Sequence, residues 1–588
     1  MAMINIKIEG MPYQVEEGLT ILEAARRCGY NIPFLCSYNH GECSQGSCRV
    51  CLVEVKGARG LVASCVYPVS EGMEIVISSP RATAARRTSV ELLLSNHSMK
   101  CQQCDKNEYC ELLYAARVTG AREDMFQGVQ TPTTRDELTP SIIRDTSKCV
   151  LCGRCIERCK NAHGLSVLGF ENRGFHTIVG PAANRSLNNS PCILCGQCVS
   201  VCPTGALMEK SEIDRVDQAM RDGKYVVVQT APAVRAALGE EFGLSVGTPV
   251  TGKMVAALRR LGFTKVFDTN YAADLTIMEE AHELLDRIRN GGVLPMITSC
   301  SPGWINYAEF YYGDLLPHLS SCKSPHEMFG AILKSYYAEK FDIDPKEMFV
   351  VSVMPCTAKK GEKEREQLQH NGVKDVDAVL TTRELARLIK RSGIDFARLP
   401  EEEFDNVLVG DYSGAGVIFG VTGGVMEAAL RTAYHALTGQ EHELIRFEQV
   451  RGFDGVKEAA LDINGATIRV AVAHGMKNAR VLLEQIRQGT SPYQFIEIMG
   501  CPGGCVAGGG QPYIKTQFLP NEDVDIIDTY KAKRAAALYS EDERQSVRQS
   551  HNNPQMIELY ESYLVKPNSH KAHALLHTTY AAREPFRD

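Results

Sequence analysis

VLPMITSCSPGW, residues 293 to 304, is a short apolar run that ends in a cysteine and a serine side by side. Two more runs of the same kind also end in cysteine: MFVVSVMPC at 348–356 and FIEIMGCPGGC at 495–505. Short apolar runs rich in β-branched residues and bounded by turn residues read as buried strands. Around them lie further strand-type runs, KYVVVQ (224–229), KVFD (265–268) and TIRVAVA (467–473). Between these come helical patterns, GKMVAALRRLG (252–262), TIMEEAHELLDRIRN (276–290) and GGVMEAALRTAYHAL (423–437). Strand alternating with helix from residue 213 onward predicts an α/β domain with largely parallel sheets. Ligands in such sheets bind beyond the carboxyl ends of strands, so the loops carrying Cys300, Cys356, Cys501 and Cys505 are expected to converge on one site.

The rest of the chain has a different character. Sixteen of the 22 cysteines fall between residues 36 and 202. With 64 basic against 71 acidic side chains, a net charge of −7 gives no electrostatic reason to expect a nucleic-acid partner. No apolar run approaches a membrane span, and the start MAMINIKIEG has no secretory pattern, so a cytoplasmic protein is expected. Disulfides do not persist there, so most of the thiols are expected to be either buried apolar residues or metal ligands, and their spacing points to ligands. The 588 residues suggest about four domains. Residues 4–8 alternate as a strand, and Thr20 with Glu23 forms a capping box ahead of the helix ILEAARRC, closed by Gly29.

The strongest pattern is a repeat. CVLCGRCIERC (149–159) and CILCGQCVSVC (192–202) are both C-x2-C-x2-C-x3-C runs. The fourth cysteine of such a run ligates the other cluster of a two-cluster ferredoxin. Cys149, Cys152, Cys155 and Cys202 are therefore assigned to one [4Fe-4S] centre, and Cys159, Cys192, Cys195 and Cys198 to a second. Zinc has no use for the tight triple spacing. Upstream, His97, Cys101, Cys104 and Cys110 form H-x3-C-x2-C-x5-C, which spacing alone leaves open between zinc and a cubane. Cys36, Cys48, Cys51 and Cys65 form C-x11-C-x2-C-x13-C, and Cys28 and Cys43 read as spare thiols. The glycine-rich SGAGVIFGVTGG (413–424) lacks the G-x-G-x-x-G register, so the chain is not expected to bind NAD itself.

TSCSPGW (298–304), MPCTAKKGE (354–362), FGVTGGVMEAALR (419–431) and EIMGCPGGCVAGGGQP (497–512) resemble the motifs of [FeFe]-hydrogenases. The order of the upstream cysteine groups resembles that of the long clostridial-type members and of the catalytic subunits of NAD(P)-linked multimeric enzymes. The resemblance implies an α/β catalytic domain of two parallel-sheet lobes around an H-cluster, preceded by small α+β ferredoxin-like iron-sulfur domains. It implies a [2Fe-2S] domain at 1–82, a [4Fe-4S] domain with one histidine and three cysteine ligands at 83–124, a two-[4Fe-4S] domain at 125–212 and the catalytic domain at 213–588. The implied reaction is reversible H2 oxidation and proton reduction. The H-cluster is a [4Fe-4S] cubane joined to a two-iron unit bearing CO, CN and an azadithiolate. Electrons would pass through one [2Fe-2S] and three [4Fe-4S] clusters to ferredoxin or NAD(P)-linked flavoprotein subunits, and maturation proteins would build the two-iron unit. Exposed low-potential clusters imply oxygen damage.

Carried over by position, Cys356, Cys501 and Cys505 match cubane ligands, and Lys359 matches a residue that hydrogen-bonds a cyanide. Ala231, Pro232, Met354 and Met499 match the dry wall around the two irons. A path for protons would run from Cys300 through Glu280 and Ser320 to Glu283, with Arg287 on the same helix face. Without the resemblance, Glu283 and Arg287 read as an ordinary i,i+4 pair and the methionines as core. One position departs from the family: Ser301 stands where the fourth cubane cysteine is expected. Three arrangements answer it. Ser301 coordinates iron as a hard alkoxide, or Cys300 takes over as ligand, or the cubane assembles poorly and the chain is a non-catalytic or sensory iron-sulfur protein.

Overall fold

The computed structural model describes residues 2–38, 42–441, 446–463, 466–514 and 526–586. The chain divides into two units. One comprises Met1–Ser190, Gln197–Met208 and Tyr513–Thr529, and the other Pro191–Gly196, Glu209–Pro512 and Tyr530–Asp588.

In the N-terminal unit, Met3–Ile8 buries every second residue, placing Ile4, Ile6 and Ile8 on one face. It pairs antiparallel with Met11–Glu16 and parallel with Glu74–Val76 in a five-stranded sheet completed by Leu52–Val55 and Val62–Ala63. The helix Ile21–Arg27 lays Ile21, Leu22, Ala24 and Ala25 against that face. Its capping box is formed as expected: Thr20 Oγ1 accepts from the Glu23 amide, and Glu23 accepts from the Thr20 amide. Cys28 is the C-cap and Gly29 follows at φ +86°. The strands are short, and Cys36, Cys48, Cys51, Cys65 and Cys152 are members of the same core as the aliphatic residues.

The second unit contains two four-stranded sheets. The first is wholly parallel, in the order Lys265–Asp268, Tyr225–Thr230, Met348–Met354, Ala378–Thr381. Its central strands are buried on both faces, which is why they read as continuous Val-rich runs. The second runs Met296–Ile297, Phe495–Met499, Ala466–His474, Val456–Ile463. Its first three strands are parallel, but Val456–Ile463 is antiparallel, so one of the two expected parallel-sheet lobes is mixed. The sequence VKEAALDI hides this edge strand, since Lys, Glu, Ala and Leu are helix formers.

VLPMI contributes only the two-residue strand Met296–Ile297, because Pro295 has no amide for the ladder. The helix Asn270–Asn290 starts six residues before its amphipathic pattern does. Its first half is buried all round, so it carries no polar face to show a period. It packs against the helices Pro325–Ile332, Gly414–Ile418 and Gly424–Thr438.

Candidate active site

Two of the strands that end at the site carry side chains or turns that fix neighbouring backbone. After Tyr225–Thr230 the Ala231 amide donates to Val353 O, and Pro232 opens the helix Pro232–Arg235. Arg235 locks this turn, giving one nitrogen to Pro232 O and another to Asp268 at 2.6 Å, with both side chains fully buried. From within Phe495–Met499, the Glu497 carboxylate accepts the Gly423 and Met426 amides at 2.7 Å each. A carboxylate at the N-terminus of Gly424–Thr438 satisfies orphan donors and complements the helix dipole.

The strand ends open on one cavity. Cys300, Ser301, Cys356, Lys359, Cys501 and Cys505 line it, with Ala231, Pro232, Met354 and Met499 as apolar wall. All ten were named from the sequence. The lining also includes Thr269, Ala273, Pro325, His326 and Phe419, which sequence reasoning missed. Two glycines are dictated by close approach. A Cβ on Gly504, at φ +91°, would sit 2.6 Å from the Thr422 amide, and one on Gly508 would sit 2.0 Å from Pro355 O.

Cys356, Cys501 and Cys505 form one electrostatic group. Burial pushes up the Cys505 thiol to about 12, with Cys501 the next cause, and the Cys356 thiol rises through burial and then Cys501 and Cys505. Cys300 lines the same cavity: burial first and then Glu280 raise its thiol, Lys359 opposes the rise and Cys505 adds to it. Ser301 Oγ accepts the Gly500 amide at 3.0 Å, which places it beside the Cys501 loop. Lys359 donates to Cys300 O at 3.1 Å and pairs with Glu362 at 2.7 Å. Burial alone would lower its pKa, but Glu362 overrides that and holds it up, so the ammonium stays charged inside the wall. His326 reaches the same Glu362 oxygen at 2.7 Å, and burial, with Lys359 next, lowers it to about 4, leaving a neutral ring. Glu362 stands in the quoted MPCTAKKGE, three residues from Lys359, and that helical spacing was the signal available.

Glu280, Ser320, Glu283 and Arg287 lie outside the lining but near one another. Glu280 is fully buried with no hydrogen bond of ordinary length to either oxygen among the described residues. Burial raises it to about 8, Glu283 adds to the rise, and the Ser320 hydroxyl and Ser299 amide oppose it. Ser320 Oγ donates to Glu283 at 3.1 Å, and Arg287 pairs with Glu283 at 2.6 Å.

In the N-terminal unit the thiols of Cys36, Cys48, Cys51 and Cys65 face one another. Hydrogen bonds from Cys48 and Cys65 pull Cys36 well below the ordinary thiol value, and Cys65 does the same to Cys51, to about 7. Cys43 instead donates to Cys36 O, and Cys28 lies half-buried, its thiol raised by burial; neither carries a signature of the facing set. Cys149, Cys152, Cys155 and Cys202 line one cavity with Val150, Pro203, Ala206 and Leu207. His97 is buried with Nδ1 unpartnered, an orphan acceptor that fits a metal, and a Cβ on Gly205 would sit 2.8 Å from Cys104 Sγ. Cys101 and Cys110 flank Cys104 on the same short loop, all partly exposed. Cys159 lies on the helix Arg154–His163 and Cys198 on Gln197–Val201. Cys192 and Cys195 belong to a segment fixed within the catalytic unit by Thr357 Oγ1 to Leu194 O at 2.7 Å.

Soft thiolates in such sets select iron-sulfur chemistry, and the fold and the cavity together define an iron-sulfur oxidoreductase. The profile of the iron-only hydrogenase large subunit, C-terminal domain, matches residues 224–509, and that of the iron hydrogenase small subunit matches 528–583. A 2Fe-2S iron-sulfur cluster binding domain matches 1–80, the NADH-ubiquinone oxidoreductase-G iron-sulfur binding region 86–124, and the ferredoxin-like domain of NADH-quinone oxidoreductase subunit 3 139–208. The chain is 49% identical to NADP-reducing hydrogenase subunit HndD of Solidesulfovibrio fructosivorans, over 99% of this chain and all of that one. It is 44% identical to iron hydrogenase 1 of Clostridium pasteurianum, over 98% of this chain and all of that one. A solved variant of [FeFe]-hydrogenase HydA1 from Chlamydomonas reinhardtii superposes with a TM-score of 0.57 at 42% identity, covering 64% of this chain and 100% of that one. The chain belongs to the iron-only, or [FeFe], hydrogenase family. Among the described residues no helix is long and apolar enough to cross a membrane.

Proposed function

We propose that this chain is the catalytic subunit of a hydrogenase that interconverts H2 with two protons and two electrons. The observation that carries this reading is the single cavity where Cys356, Cys501, Cys505 and Lys359 meet an apolar wall of Ala231, Pro232, Met354 and Met499. An H-cluster held there supplies the redox iron and the basic amine at which H2 is made or split. The chain's own residues do the rest. Cys356, Cys501 and Cys505 hold the cubane, Lys359 offers a fixed positive charge to cyanide, and the apolar wall keeps water away from the two-iron unit.

Ser301 takes the fourth corner and Cys300 keeps the proton. Ser301 Oγ lies against the Cys501 loop, and Glu280 is the strongest charged influence on the Cys300 thiol. Protons then pass between Cys300, Glu280, Ser320 and Glu283. Glu280, raised to about 8, is a carboxylic acid at neutral pH and can donate as well as accept.

The electron route uses one [2Fe-2S] centre on Cys36, Cys48, Cys51 and Cys65, and three [4Fe-4S] centres on the His97 set and the two ferredoxin sets. The likeness to an NADP-reducing subunit supports flavoprotein partners linked to NAD(P), with ferredoxin as the second acceptor. Dedicated maturation proteins supply the two-iron unit.

The test is an anaerobic infrared spectrum of the full chain co-expressed with hydrogenase maturation proteins, before and after H2 is added. Metal-bound CO and CN bands that shift under H2 are expected. Absence of those bands with the N-terminal clusters intact would sink the reading and leave an electron carrier or sensor.

A further inference from the structure

The proton path has an unexplained end. Arg287 cannot be the exit, because a guanidinium does not deprotonate in a protein. Its nitrogens are also committed: one to Val293 O, Pro317 O and His318 O, another to Glu283 and Leu319 O. Arg287 therefore fixes Glu283 and stays charged.

On its other side Glu283 meets a second hydroxyl. Ser321 Oγ lies 3.1 Å from Glu283 Oε2 and 2.8 Å from His577 Nδ1. A hydroxyl has one proton, so it donates to one of these groups while it accepts from the other. We propose that His577, reached through the Ser321 hydroxyl, is the relay residue that carries the proton onward from Glu283. The inference rests on the proton path proposed above.

The transfer balances without any other reactant. Protonated Glu283 gives its proton to Ser321 Oγ as the Ser321 hydroxyl proton passes to His577 Nδ1. The products are a Glu283 carboxylate and a His577 imidazolium. Both ring N–H groups are then satisfied, Nδ1–H by Ser321 Oγ and Nε2–H by Glu279, 3.1 Å away. Return of the proton reverses the same two bonds.

The surroundings suit a group that charges and discharges. Glu279 is buried and also accepts from Tyr560 at 2.5 Å and from the Asn568 amide at 2.8 Å, which holds its carboxylate in place. The Cys322 thiol approaches Glu283 at 3.8 Å, with burial keeping it protonated. From the helix His570–Leu576, His573 stacks on the His577 ring with centroids 3.9 Å apart, and His573 is itself exposed. The charged and titratable groups beside His577 are Glu279, Glu283, Cys322 and His573, with Tyr560 and Arg287 bonded to the two carboxylates and His570 acting on His573. Of these, the histidines are the side chains whose ordinary range spans neutral pH, and the buried one sits a single ring from solvent.

The experiment uses the full chain with its clusters and two-iron unit assembled. His577→Gln keeps polar contacts to Ser321 and Glu279 but cannot carry a proton. Its expected proton-reduction rate is lower by roughly 10²-fold, the low end for a positioned proton carrier, with a larger solvent deuterium effect. The infrared bands and the reduction of the N-terminal clusters should be unchanged. His577→Ala with added imidazole should recover part of the rate, and Ser321→Ala should reproduce the loss. Wild-type rate and pH profile in His577→Gln overturn the proposal. So does a loss in His577→Ala that imidazole does not lift, which marks a packing role. If Glu280→Gln also keeps the wild-type rate, the path itself has failed, and the fault lies in the earlier reading.

Discussion

The two units solve opposite problems with the same side chain. In the N-terminal unit cysteines are part of the hydrophobic core: Cys36, Cys48, Cys51 and Cys65 are buried among aliphatic residues beneath strands of two to six residues. In the catalytic unit the core is mostly aliphatic and aromatic, with Cys322 the thiol it buries completely. Trp304, Tyr271, Phe267 and Phe329 are nearly inaccessible and the parallel sheet is continuous, and Cys356, Cys501 and Cys505 line a cavity at the strand ends. The comparison teaches that a metal can replace missing core in one place and be cargo beside an aliphatic and aromatic core in another. Small domains need such staples because they bury too little apolar surface.

Removing iron breaks the comparison most sharply. Metal binding to sites that do not exist in the unfolded chain is folding free energy. Full chain produced without iron and kept reduced should lose amide protection throughout the segment 2–120 in hydrogen exchange. Tyr225–Thr230 and Met348–Met354 should stay protected. Equal protection in both regions would show that the N-terminal core stands without its clusters.

The next effect is confined to the catalytic unit. Glu280→Gln should cost about 10² to 10⁴ in hydrogen turnover, the range for positioned proton transfer, with the N-terminal clusters still reduced normally. Glu280 carries its proton below about pH 8 and loses it above. Proton delivery in the wild type should therefore fall as pH rises through that value, and the Gln variant should lack this alkaline limb. A pH–rate profile unchanged by the substitution would remove Glu280 from the path.

How much of this was written in the sequence also differs between the units. Cysteine spacing alone assigned the two ferredoxin sets, but it left the His97 set open between zinc and a cubane, and the [2Fe-2S] reading of the Cys36 set needed the family resemblance. Strand–helix alternation gave the parallel sheet, and the apolar runs ending at Cys300, Cys356 and Cys501 gave the position of the cavity. The edge strand Val456–Ile463 escaped because its residues favour helix and its pairing is tertiary. The first half of Asn270–Asn290 escaped because full burial leaves no period to read. His326 and His577 escaped for a third reason: lone polar residues acquire a role only from neighbours distant in sequence. Ser321 and His577 are 256 positions apart.

Ser301 sharpens the contrast at a single atom. An oxygen donor is a poor match for iron-sulfur chemistry, whereas a thiolate there is matched. Ser301→Cys should slow loss of the catalytic cubane's iron to a chelator several-fold, leaving the N-terminal iron count unchanged, and Ser301→Ala should speed it. Iron counts with electron paramagnetic resonance of the reduced protein would measure this. No change in either variant would mean that Ser301 is not at the fourth corner, and Cys300 would become the ligand to test.

The smallest effects come from a motif that both units contain. Thr20 with Glu23 and Thr381 with Glu384 are capping boxes with the same two reciprocal bonds. Thr20 is partly exposed, so water replaces the bond lost in Thr20→Ala, and the expected cost is about 1 kcal/mol. Thr381 and Glu384 are fully buried, and Glu384 also holds Lys360 at 2.9 Å and the Glu212 amide at 2.8 Å. Thr381→Ala leaves the buried Glu384 amide without its acceptor, which raises the cost to about 2 kcal/mol. Denaturant unfolding of the cluster-loaded protein, followed by the visible absorbance of the N-terminal clusters and by Trp304 fluorescence, separates the two. Each substitution should move its own unit's transition first. Equal costs would show that the catalytic unit's aliphatic and aromatic core gives its local bonds no more weight than the thiol-stapled unit gives to its own.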